Sequence, residues 1–220
     1  MTRQEQLLWL LLIVGGFFSG GVMYSRILPK LFLKKDICSS SPDKNPGASN
    51  VFVSCGVTLG MLCLLMDMLK GFVPVYFAIR LLDPQNLCFA AVLFAPVLGH
   101  AVAPFDHLRG GKCIATSFGE LLALLPVSRI VFLLAGLYVF FSVVIKISPN
   151  RLRSITTFGL FGSFCGIWFT AASRISLAVG LVLLSVTAVL RHTRWLSIVP
   201  EDEPQPLPEE AARAEASSHS

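Results

Sequence analysis

The chain has 220 residues, 54% hydrophobic and 14% charged, with a mean hydropathy of +0.71. A soluble domain is about 25% charged, so the composition excludes a soluble globular protein and points to an integral membrane one. The net charge of +5 is uneven, because residues 200–220 hold six acids against Arg213 and leave a basic surplus on residues 1–199.

Apolar runs of about twenty residues, rather than short alternating strands, indicate membrane helices. Spans are expected near 7–25, 54–80, 87–104, 113–126, 129–147, 154–171 and 174–190, giving an all-α integral membrane protein of about seven transmembrane helices. The first run could imitate a signal peptide, but Glu5 offsets Arg3 and no Ala-x-Ala site follows, so it reads as an uncleaved span. Thirteen loop cations then fall on one side of the membrane, against only Arg3, Arg80, Arg129 and Arg174 on the other. The positive-inside rule places the N-terminus outside and the C-terminus in the cytoplasm. Residues 1–199 are expected to form one polytopic domain. Residues 200–220, rich in Pro, Glu, Ala and Ser, are expected to be a disordered acidic cytoplasmic tail. Six cysteines without Cys-x-x-Cys spacing support neither a disulfide framework nor zinc. No metal, cofactor or nucleic-acid partner is expected.

The first basic loop holds Asp43-Lys44-Asn45-Pro46-Gly47-Ala48-Ser49-Asn50. This is ordinary turn chemistry, yet its two amides also suit the hydroxyls of a sugar or glycerol. Asp67 and Lys70 follow, three apart on one helical face. A lone charge near the bilayer midplane costs about 2.5–3.5 kcal/mol, so a structural ion pair and a catalytic pair are both open here. Their depth also leaves open a broken or re-entrant span.

Residues 99–119 are the most informative stretch, a polar, cationic, glycine-rich segment between apolar runs. Gly110 and Gly111 ahead of Lys112 present bare backbone N–H groups beside an ammonium, a combination suited to phosphate. Asp106 stands where a Walker A loop needs glycine and Cys113 where it needs Ser or Thr, so nucleotide hydrolysis is not supported. Five places after His100 stands Phe105, so the His-x4-Asp signature of coenzyme-A-dependent acyltransferases fails too. His100 reads equally as a structural histidine at a helix end. Glu120 is buried by pattern. Late in the chain, Asn150-Arg151-Leu152-Arg153 and Arg191-His192-x-Arg194 read first as positive-inside flanks.

Together these residues resemble the bacterial acyl-phosphate:glycerol-3-phosphate acyltransferases of the PlsY type. Asn45-x-Gly47-Ala48-Ser49-Asn50 is similar to part of that family's first motif, and Asp67, Lys70, Gly71 and Pro74 match its second. Gly99-His100, Phe105, Gly110-Gly111-Lys112 and Ala115-Thr116 follow the order of its third, the most specific one. Arg153-x-x-Thr156 and Arg191-His192 resemble two later features, so the likeness covers about residues 5–195.

The resemblance implies transfer of a fatty acyl group from acyl phosphate to the 1-hydroxyl of glycerol 3-phosphate, at the cytoplasmic face of a bacterial inner membrane. It implies catalytic roles for Lys112 and His100. Substrate binding would fall to Asn45, Gly47, Ser49, Asn50, Lys70, Gly110, Gly111, Thr116, Arg153, Thr156 and His192. The chain departs from the pattern at Asp43 and Lys44, at Val53 in place of arginine, at Cys113 in place of glycine, and at Trp195 in place of asparagine. Several of these departures fall at positions that the family would use on the acceptor. A paralogue with another acceptor, a small transporter and a non-catalytic membrane partner are the rival readings.

Overall fold

The computed structural model describes residues 1–41 and 45–193. Asp43, Lys44, Arg194, Trp195 and the expected tail at 200–220 lie outside the described residues. Every regular element among the described residues is helical.

Helix α1 (Arg3–Gly21) starts in a capping box, with Thr2 accepting from the Glu5 N–H at 3.2 Å and the Glu5 carboxylate accepting from the Thr2 N–H at 2.7 Å. It stops at Val22 and continues, bent by 46°, as α2 (Tyr24–Leu33). The one-turn α3 (Ile37–Ser40) and α4 (Ala48–Cys55) follow. Gly56, at φ +87°, turns the chain into α5 (Val57–Leu81). At 25 residues α5 is about 37 Å long, enough to cross the bilayer, and it runs unbroken through Asp67, Lys70, Gly71 and Pro74. The alternative of a broken second span is thereby removed.

The next three elements are shorter than the apolar runs that contain them. The runs near 87–104, 113–126 and 129–147 fold as α6 (Cys88–Val102), α7 (Ile114–Ala123) and α8 (Val131–Val139) with a π-helical turn at Phe140–Val144. All are shorter than the roughly 20 residues a spanning helix needs; hydropathy marks apolar stretches, but caps and turns decide how much of each is helix. α9 (Asn150–Ala171) and α10 (Ile175–Thr193) return to full length. Among the described residues three helices, α5, α9 and α10, are long and apolar enough to cross a membrane, or four if the bent α1–α2 pair is one span.

The core lies where α5, α6, α7, α9 and α10 meet, around Phe89, Leu93, Leu121, Leu124, Phe158, Phe161, Leu177, Leu181 and Leu184, all fully buried. α1 packs against α6 with backbones in contact. A Cβ at Gly20 would overlap the Pro96 carbonyl, and one at Gly99 would overlap the Phe17 carbonyl. Close approach through small residues is how helices associate where surrounding lipid removes the hydrophobic drive.

Candidate active site

The glycine–lysine segment leaves the end of α6, where Ala103 turns left-handed at φ +50°. His107, Leu108 and Cys113 share that backbone sign, and Cys113 opens α7. Gly111 donates its N–H to the His100 carbonyl at 3.1 Å. From the opposite side the Arg191 guanidinium, in the last turn of α10, donates through Nε to the Gly111 carbonyl at 3.1 Å and through Nη2 to the Gly110 carbonyl. Both glycines are buried, and a Cβ on Gly111 would overlap the His100 ring.

One expectation changes here. The Gly111 N–H is spent on His100, so the pair of free N–H groups read from the sequence is not presented as such. Lys112, half-buried, stands beside this pinned backbone. His192 is buried and donates Nδ1–H to the Ala188 carbonyl at 2.7 Å, and Lys112, Arg191 and Arg151 all lie within its electrostatic reach. Arg151 also reaches the Thr193 carbonyl at 3.4 Å, joining the start of α9 to the end of α10.

Under this loop lies a second charged group. Lys70 pairs with Asp67 at 2.9 Å and donates to the Val22 carbonyl at 2.6 Å, where α1 breaks. Ser25 donates to the other Asp67 oxygen at 2.7 Å. Both charged side chains are at most 3% exposed. Lys70 is therefore an internal partner of Asp67 and of the α1–α2 break, the ion-pair alternative of the two the sequence leaves open. Thr116 is fully buried where α7 packs on Gly71 of α5. Glu120 is fully buried at the same contact.

Asn45, Gly47 and Asn50 form a local turn into α4: Gly47 N–H and Asn50 Nδ2 donate to the Asn45 carbonyl at 2.9 and 2.8 Å. Ser49 is exposed, and Val53 is 88% exposed. Arg153 donates to Asn150 at 2.7 Å and lies near Tyr138, with Thr156 half-buried one turn on. The two basic loops are drawn together by Arg26, which pairs with Asp106 and, at 3.9 Å, with Asp36. Neither Arg26 nor Arg191 was assigned to the site by sequence reasoning. An ion pair across 80 residues leaves no local pattern, and Arg191 looks like any other flanking cation.

A family model described as glycerol-3-phosphate acyltransferase matches residues 10–199. The glycerol-3-phosphate acyltransferase of Maridesulfovibrio salexigens is 33% identical over 182 residues, covering 81% of this chain and 88% of that protein. The one from Thermotoga petrophila is 29% identical over 191 residues, covering 84% and 89%. Crystal structures of PlsY (YgiH), an integral membrane glycerol 3-phosphate acyltransferase, share the fold. Its lysophosphatidic acid form gives a TM-score of 0.70 at 24% identity, and its glycerol 3-phosphate form 0.72 at 23%, each over 86% of this chain and 90% of that one.

Helices, cationic loop and matches define the class: an integral membrane acyltransferase. Within that class the chain belongs to the glycerol-3-phosphate acyltransferase family.

Proposed function

We propose that the protein transfers the acyl group of a fatty acyl phosphate to the 1-hydroxyl of glycerol 3-phosphate. The hydroxyl oxygen attacks the acyl carbonyl carbon, the bond from that carbon to the phosphate oxygen breaks, and lysophosphatidic acid and phosphate result. A mixed anhydride already carries a good leaving group, so no nucleophilic side chain is needed; the hydroxyl proton passes to the departing phosphate. The protein's contribution is then positioning and charge neutralisation.

The observation that carries this reading is the pinned Gly110-Gly111 backbone next to Lys112, with Lys112 and Arg151 both within electrostatic reach of His192 near the ends of α9 and α10. Lys112 holds a substrate phosphate. His192 and Arg153 serve the second one, and Asn45, Gly47, Ser49, Asn50 and Thr156 line the approach of the acceptor. His100 keeps its ring behind Gly111 and shapes the loop. The reaction takes place on the cytoplasmic face of a bacterial inner membrane, with the N-terminus outside. The drawing together of both basic loops by Arg26 supports a single-sided site.

Purified protein given palmitoyl phosphate and glycerol 3-phosphate should form lysophosphatidic acid, and palmitoyl-CoA should not replace the donor. Turnover with acyl phosphate and a different polyol phosphate, but none with glycerol 3-phosphate, would favour the divergent-acceptor reading, for which the exposed Val53 in place of arginine is the motive. Single cysteines at the exposed positions Ser39 and Asn150 should label from the cytoplasm and one at Ser173 from outside. Opposite labelling of Ser39 and Asn150 would end the single-sided site.

A further inference from the structure

Arg191 has no task in the reaction just described, yet its guanidinium is committed to two successive carbonyls of the glycine loop. We propose that Arg191 is a positioning residue that fixes the Gly110-Gly111 backbone and through it aims Lys112 at the substrate phosphate. This rests on the acyl-transfer reading for the role of Lys112, but the grip on the loop is independent of it.

Three observations carry the inference. Gly110 and Gly111 are buried, so their carbonyls need donors, and a planar guanidinium fork can serve two acceptors at once where an ammonium is a point charge. The same backbone is held from behind by the Gly111 N–H bond to His100. Space for slippage is absent, because a Cβ on Gly110 would overlap the Ala101 carbonyl and one on Gly111 the His100 ring. The loop is thus clamped between the C-terminal ends of α6 and α10. A cation in the last turn of α10 is also favoured by the carbonyl end of that helix. Lys112 is the next residue along, so the plane of the peptide that Arg191 grips sets where its side chain starts.

Two measurements on the full chain in detergent decide the matter. By hydrogen–deuterium exchange, Arg191→Ala should speed exchange of a peptide covering 109–113 by about tenfold, the loss of one or two charged hydrogen bonds, and leave α5 unchanged. Unaltered exchange at 109–113 would overturn the clamp. In acyl transfer, Arg191→Ala should lower kcat about 30-fold. Arg191→Lys should stay impaired, and millimolar methylguanidinium should restore part of the activity. In a Lys112→Ala background the same change should cost little more, because the two residues act as one unit. A loss that simply multiplies with that of Lys112→Ala would overturn the positioning role. If the wild type transfers no acyl group from acyl phosphate, the function proposed above falls, while the exchange experiment still decides the clamp.

Discussion

Lys70 and Lys112 both belong to glycine-containing motifs, and the contrast between them shows two ways a membrane protein uses a cation. Lys70 sits at mid-helix, 2% exposed, with Asp67 and the Val22 carbonyl as partners. Lys112 sits between elements, half-buried, beside a backbone clamped from two sides. The first charge is neutralised inside the protein and fastens α1 and α2 to α5. The second lies within electrostatic reach of His192 and is the one we propose meets the substrate phosphate. Motif resemblance alone does not separate these roles, but the surroundings do.

The contrast predicts unequal damage. Lys70→Ala leaves Asp67 buried without its partner and should cost about 3–5 kcal/mol of stability, seen as loss of extractable, monodisperse protein. Replacing both by apolar residues, Asp67→Leu with Lys70→Met, should return most of that stability. If Lys70→Ala is as stable as wild type, the buried pair is not the fastening described.

Lys112→Ala should leave the melting temperature nearly unchanged and reduce acyl transfer about 100-fold, the weight of a charged contact to phosphate. Lys112→Arg should also fail, since a bulkier fork does not reproduce a point charge beside close glycines. Wild-type turnover in Lys112→Ala would reduce this cation to a flanking charge.

Gly111→Ala should follow, with an overpacking cost of about 1–3 kcal/mol against the His100 ring. Adding His100→Ala should relieve part of the defect in both stability and turnover; no relief would separate His100 from the loop. Val53→Arg should do least to the fold, within about 0.5 kcal/mol in a melting measurement, because the site is exposed. A lowered KM for glycerol 3-phosphate in that variant would show that the acceptor side of the site extends to α4.

Much of this was readable from residues. The apolar run at 54–80 became α5 (Val57–Leu81) apart from its first three residues, the Asp67–Lys70 spacing gave an ion pair, and Gly110-Gly111-Lys112 fell between helices. What stayed hidden depended on contacts between distant parts of the chain. Lys70 finds the Val22 carbonyl 48 residues away, and that acceptor is free only because α1 ends there. Arg191 finds the glycine carbonyls 80 and 81 residues away. The apolar runs at 87–104 and 113–126 outlast α6 and α7 because apolar residues continue past the helix ends, with Ala103 after α6 and Cys113 before α7 in left-handed backbone angles.

The seam between α1 and α6 sets a timetable for biogenesis. Gly20 and Phe17 meet Pro96 and Gly99, so the partner of α1 is made about 76 residues later, which at 5–20 residues per second is roughly 4–15 s of synthesis. Throughout that interval the glycine face of α1 rests in the bilayer against lipid, and the N-terminal helix acquires its final neighbour only when the middle of the chain arrives.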